Sequence, residues 1–237
     1  MGENFEIVRE GELATTPEEY WDAVTTGNGG WLWPMEFEPR VGGAAAFGGT
    51  ITAWEPPHHL CSRMDGEDGW FNQVEHTVEG REGGRTRFRY VHSGVFTDDW
   101  ENQYDGAAQH TDFYLHTLGQ YLAHFSHRPV VYLSTDAPAA SNSPGGFTTL
   151  RAALGLTAQT SQDDTVQVAL PLGETEAVVD YLHPNFIGLR TGSAMYRFFG
   201  RNAFGAPVGV AVHHFDADAD AAAEQKALEE WLTGVYA

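Results

Sequence analysis

The chain has 237 residues, 42% of them hydrophobic and 13% aromatic, which is the apolar surface of one large folded domain or of one and a half and excludes wholesale disorder. Thirteen Lys and Arg stand against 33 Asp and Glu, and a net charge of −20 excludes a basic patch for nucleic acid or anionic lipid. Cys61 is the single cysteine, so no intrachain disulfide and no cysteine-based metal knuckle can form.

The opening residues 1–13 are charged and strand-like, without the basic start and apolar run of a secretory signal. No stretch approaches the roughly 18 apolar residues of a membrane span, so no membrane span and a cytoplasmic location are expected. After a first strand over 4–13, Thr15-Thr16-Pro17-Glu18-Glu19 predicts a helix start, with Thr16 as cap, Pro17 in the first turn and two Glu at the positive end of the dipole. That helix presents Tyr20, Trp21 and Val24 to a core and ends near Gly27-Asn28-Gly29-Gly30.

From Met35 to His92 the pattern is strand after strand: Met35–Phe37, Ile51–Trp54, Leu60–Met64, Trp70–Val78 and Arg85–His92, separated by Gly, Pro and Asp turns. In the last, Arg85, Arg87 and Arg89 alternate with Thr86, Phe88 and Tyr90, the period of a half-buried strand. The period then changes. Ala107, Thr111, Tyr114, Leu115, Leu118, Leu122 and Phe125 fall at helical spacing and predict a long amphipathic helix within 98–125.

Residues 128–147, rich in Pro, Gly and Ser from Asp136 onward, read as a linker. Beyond it come a helix near 148–154, strands near 165–170, 177–183, 187–191, 194–200 and 208–215, and a closing helix over 219–232. Arg87–His92 before the first long helix is echoed by Val208–Phe215 before the second. The division expected is therefore a domain over 1–127, the linker, and over 148–237 a reduced second copy, strands plus closing helix; a single decorated domain is the alternative.

Several of these stretches resemble a known family. Thr16–Thr25 is similar to the opening helix of the START-like (SRPBCC, helix-grip) superfamily, with its Pro-Glu-x-(Val/Tyr)-Trp-x-Ala-(Leu/Val)-Thr run. Trp31–Gly43 resembles its Trp-rich approach to a Gly-Gly turn, and Phe47–Leu60 its Gly-x-Val-x-x-x-x-Pro-x-x-x-Leu strand pair. Arg85–Phe96 resembles its Thr-x-(Leu/Phe)-x-x-x-His-x-Gly-(Phe/Val) strand. The branch is the one related to the activator of heat-shock protein 90 ATPase, and the likeness covers about residues 5–126. The chain departs from it where members carry Gly-Trp in the long helix and this sequence has His110-Thr111. The resemblance implies an α+β helix-grip fold, a curved antiparallel sheet around a long C-terminal helix with a ligand cavity between them.

The aromatic set Trp31, Trp33, Phe37, Phe47, Trp54, Trp70, Phe88, Phe96, Tyr90 and Tyr114, together with Leu118, forms the candidate cavity lining, because aromatics supply large apolar area and Trp and Tyr add a polar handle. His76 and His92 sit at even offsets from inward-facing strand positions; with Tyr104 they are the candidates for acid–base work or for holding a ligand carbonyl. Eleven His give no His-Glu-x-x-His or comparable spacing, so no metal site and no cofactor are expected. The expected function is binding of a hydrophobic small molecule of lipid, polyketide or related type. The alternatives are a polyketide cyclase or dehydratase and a co-chaperone module. Nucleic acid is not an expected partner, and a homodimer is left open.

Overall fold

A computed structural model describes residues 2–216 and 218–237, and the chain divides into two compact units, Met1–His127 and Arg128–Ala237.

The first unit opens with strand β1 (Glu3–Leu13) and helix α1 (Pro17–Val24). The helix starts where the sequence demands it. Glu19 N donates to the Thr16 hydroxyl at 3.2 Å, and Thr16 N donates back to the Glu19 carboxylate at 3.0 Å, a complete capping box. Strands β2 (Thr50–Glu55), β3 (His59–Asp65), β4 (Phe71–Arg81) and β5 (Arg85–Phe96) then form an antiparallel meander, and β1 pairs with β5 to give the order β1-β5-β4-β3-β2. As the alternation in β5 requires, Thr86 and Phe88 are buried while Arg87 lies exposed against Glu10 of β1 at 2.7 Å. Helix α2 (Trp100–His124) closes the unit and packs on α1, β1 and β5.

The strand expected at Met35–Phe37 does not form. The Asn28 side chain takes its place: Met35 N donates to Asn28 Oδ1 at 2.8 Å and Asn28 Nδ2 donates to Met35 O at 2.9 Å. One amide satisfies the backbone groups that a neighbouring strand would otherwise satisfy.

The second unit has the same order of parts. Strand β6 (Val131–Asp136) comes first, followed by helix α3 (Gly146–Ala153), strands β7 (Thr165–Leu170), β8 (Gly173–His183), β9 (Phe186–Arg190), β10 (Ala194–Phe199) and β11 (Gly209–His214), and helix α4 (Ala221–Val235). Their sheet runs β6-β11-β10-β9-β8-β7, so the first strand again pairs with the last. Residues 128–147 are thus not a linker, because they contain β6 and the start of α3. Nor is the second unit reduced, having six strands against five. The run Val130-Val131-Tyr132-Leu133 is strand chemistry that the Pro- and Ser-rich residues after Asp136 obscure. β5 and β11, the two echoing segments, hold the same place in their sheets. This is the helix-grip arrangement that the motif resemblance implies.

On one face of the second sheet Val168, Val179, Ile187, Leu189, Phe198 and Val210 merge with Leu150 and Leu154 and with Leu228 and Leu232 of α4 into one buried cluster. On β10 the alternate residues face the other way, where Arg197 donates to Asp180 at 2.6 and 3.0 Å with both side chains buried. Gly188 makes room for this pair, since a Cβ there would collide with Asp180 Oδ1 and Arg197 Nη1.

Candidate functional site

In the first unit the space between sheet and helix is not filled. A cavity of about 310 Å³ lies there, in the size range of small-molecule sites. Its floor follows from strand register. Leu60, Ser62 and Met64 of β3 stand opposite His76, Val74 and Asn72 of β4, and these stand opposite Tyr90, His92 and Gly94 of β5. Side chains alternate along a strand and antiparallel partners share a face, so all nine positions face the same side. Ala107, Thr111, Tyr114 and Leu115 of α2 form the roof, and the segment between α1 and β2 forms the rim through Trp31, Trp33, Met35, Phe37 and Phe47.

The rim is aromatic. Trp33 meets Tyr114 edge-on at 5.7 Å and Phe47 at 5.9 Å. Phe47 holds a left-handed backbone at φ 57° and is 71% exposed, an arrangement that costs a large non-glycine residue conformational energy and leaves its ring at the mouth. Trp31 donates its indole N–H to Ala23 O at 2.8 Å and so anchors the rim to α1.

Several of the polar groups are held by partners. Tyr20, fully buried on α1, lies 2.9 Å from His76 Nδ1. Asn72 Nδ2 donates to His92 Nε2 at 3.0 Å, and the His92 ring meets Phe5 edge-on. His76 packs edge-on against Tyr90 at 5.1 Å. Burial without a neighbouring counter-charge pushes both imidazoles down to about 4, so they are neutral at pH 7. Burial likewise pushes the Tyr90 hydroxyl up to about 12, against a hydrogen bond from Thr111 that lowers it.

None of the lining residues is Asp or Glu, although the chain has 33 of them. Arg63 borders the cavity from the opposite face of β3, where its guanidinium sits 3.9 Å over the Phe71 ring and donates to Asp65 at 2.8 Å. The lining therefore carries no carboxylate, and besides Arg63 its basic side chains are the imidazoles of His76, His92 and His110.

Of the residues singled out in the sequence, Trp31, Trp33, Phe37, Phe47, Tyr90, Tyr114, His76 and His92 come together around this cavity. The others do not. Trp54 packs edge-on against Trp21 at 5.0 Å, behind Phe37. Phe88 stacks on Tyr20, and Phe96 stacks on Phe5 at 3.9 Å. Leu118 lies a turn beyond the roof and is completely buried. Trp70 covers Gly66 in the turn before β4. Tyr104 stacks on Trp100 at 4.8 Å and reaches Glu6 O, which removes it from the acid–base candidates. In each case aromatic character is shared by core and cavity, and only position separates them.

Asn72, Ser62, Met35 and Tyr20 belong to the site or to its support and were not singled out for it. Counting back by two from His76 along β4 reaches Asn72, so alternation held that signal; Tyr20 reads from sequence only as helix core. Among the described residues, no group of three or more His, Cys, Asp and Glu side chains could hold a metal ion, and no helix is long and apolar enough to cross a membrane.

No protein-family profile and no curated protein matches the chain. Among solved structures, protein MLL2253 of Mesorhizobium loti is 26% identical over 51% of this chain and 98% of its own, with a TM-score of 0.42. DynU16, a protein of the dynemicin biosynthetic locus, is 15% identical over 98% of this chain and 95% of its own, at 0.41. The HSP90 activator PFC0360w of Plasmodium falciparum is 21% identical over 51% of this chain and 96% of its own, at 0.38. With TM-scores below 0.5, these three likenesses add nothing to what strand order and closing helix already establish.

Proposed function

We propose that the first unit binds a neutral, largely apolar small molecule between its sheet and α2. The observation that carries this reading is the cavity of about 310 Å³ with aromatic walls and no lining carboxylate, at the place where the second unit packs Leu228 and Leu232 into a continuous core. An unfilled apolar space forfeits packing contacts, so a protein that keeps one sacrifices stability unless something occupies it.

A ligand that binds only the folded state raises its stability by mass action, about 2.7 kcal/mol at a hundredfold excess over Kd. Native mass spectrometry of the purified protein and a thermal-shift screen of apolar compounds therefore test the reading together. An adduct mass, or an upward shift that Ala107→Phe abolishes by filling the roof, is the expected result. Absence of any shift across a broad apolar library removes the proposal.

A catalytic reading of the cyclase or dehydratase kind draws its support from one feature, the Tyr20–His76 contact buried beside the cavity. With Tyr104 elsewhere, His76 and His92 are the residues such chemistry would use. Turnover that survives substitution of both removes that reading. A co-chaperone role has no comparable observation behind it.

A further inference from the structure

We infer that this chain forms a symmetric homodimer through the free edge of β7, which pairs antiparallel with β7 of a second copy. The inference is independent of what the cavity in the first unit holds.

Each of the two sheets ends in two edge strands, β1 and β2 in one, β6 and β7 in the other. An edge with unpaired N–H and C=O groups is a template for another strand. Among the described residues, three of these edges are guarded. On β1 the alternate carbonyls of Asn4, Glu6 and Val8 accept from the side chains of Trp100 at 3.2 Å, Tyr104 at 3.5 Å and Arg9 at 3.0 Å. On β2, Gly42 N donates to Ile51 O at 2.8 Å and Ile51 N to Gly43 O at 2.9 Å, so the preceding segment already occupies the edge. On β6, helix α4 packs along the strand and its Gln225 donates to Ser134 O at 3.3 Å.

β7 has no such guard. Leu170 and Gly173 close the β7–β8 turn as a hydrogen-bonded pair, so Thr165, Gln167 and Ala169 turn both backbone groups away from β8. None of those N–H and C=O groups has a hydrogen-bond partner among the described residues. Gly155 approaches Gln167 O but spends its own N–H on Ala152 O. The usual deterrents are missing as well. Thr165–Leu170 carries no charge, no proline and no bulge against β8, and Leu172 in the adjoining turn is 56% exposed.

The strand fits a copy of itself. With Gln167 opposite its own counterpart, Thr165 lies opposite Ala169, and all three exchange both backbone bonds. Half-buried Val166 then meets Val168 across the joint, on the face that already holds the buried apolar cluster. A net charge of −20 resists self-association, yet Glu176, opposite Gln167 on β8, stands three strand spacings or about 14 Å from its counterpart. That exceeds the Debye length of about 8 Å at physiological ionic strength. Because pairing uses up both free edges and the others are guarded, the assembly closes at two copies and does not grow into a fibre.

Sedimentation velocity of the full chain, from low to high micromolar concentration, tests this, and a dimer is expected. Gln167→Pro removes an outward N–H and puts a ring in the joint while leaving the bonds to β8 intact; it is expected to weaken association by about a hundredfold. Gln167→Cys places two thiols across the symmetry axis, where Cα atoms of a hydrogen-bonded pair lie about 5.5 Å apart, within disulfide reach. Mild oxidation is expected to give a covalent dimer from this variant. None is expected from the wild type, whose Cys61 is buried, or from Gln159→Cys, which lies outside the strand. A monomeric wild type, a dimer that Gln167→Pro leaves intact, or crosslinking of Gln167→Cys no faster than that of Gln159→Cys overturns the inference. If Gln167→Pro fails to fold, the two cysteine variants decide. Failure of the cavity reading leaves the dimer untouched.

Discussion

The two units have the same plan, a first strand paired to the last, a short helix, a meander and a closing helix, and they differ in what lies under that helix. In the second unit α4 lowers Leu228 and Leu232 into a cluster that already holds Phe198, Val210 and Ile187. In the first, α2 places Ala107, Thr111 and Tyr114 over the floor, and the space stays open. The tryptophans are divided as unequally. Trp21, Trp31, Trp33, Trp54, Trp70 and Trp100 lie in the first unit and only Trp231 in the second. Beside Tyr114 and Leu115, the small side chains of Ala107 and Thr111 leave space under α2, whereas Leu228 and Leu232 of α4 join a buried apolar cluster. Topology alone therefore does not decide whether a helix grip keeps a cavity, and the side chains of one helix face contribute to that decision.

The difference can be tested by making the same truncation in both closing helices. Leu232→Ala removes a side chain that is 1% exposed in a filled core, and it is expected to destabilise the protein by about 4 kcal/mol, the transfer loss plus a new cavity. Leu115→Ala borders existing space, so about 2 kcal/mol or less, the transfer loss alone, is expected. Urea unfolding followed by circular dichroism measures both, and equal losses would mean that the two cores are packed alike.

Acid sharpens the contrast next. Above pH 6.5 both His76 and His92 are neutral whether folded or unfolded and contribute nothing to the pH dependence. Below it the unfolded chain takes up protons that the buried imidazoles refuse until about pH 4. Stability is therefore lost as pH falls through that window, by up to about 3 kcal/mol for His76 and less for the more exposed His92. Tryptophan fluorescence, which reports mainly the first unit, is expected to show this loss between pH 6.5 and 4, and His92→Phe is expected to flatten it. An unchanged slope in that variant would assign the acid sensitivity to other groups.

The smallest effect belongs to the helix starts. Thr16→Ala removes a capping box worth about 1 kcal/mol, and the loss should fall on the tryptophan-detected transition. The corresponding helix α3 begins at Gly145, which has no side-chain cap to lose.

The legible parts of this protein were those written in local chemistry. Thr16-Pro17-Glu18-Glu19 specifies a helix start through hydrogen bonds that span three residues, and the alternation in Arg85–Tyr90 specifies a face through the two-residue period of the strand. β6 was hidden because a six-residue strand beside a Pro- and Ser-rich run has little signal of its own; pairing with β11, more than seventy residues later, is what makes it a strand. Met35–Phe37 failed in the opposite sense, since its alternation is genuine and Asn28 occupies the bonds a neighbouring strand would have made.

By itself the sequence determined the class of fold, the two closing helices, the outward arginines and the aromatic supply from which a lining could be drawn. Only the tertiary structure decided which aromatics face the void, that Asn72 and Tyr20 fix the two histidines, and that Tyr104 stands apart. The physical reason is range. Helix and strand periods act over two to four residues, whereas a cavity is defined by side chains from β3, β4, β5, α2 and the rim that meet only after the chain has folded.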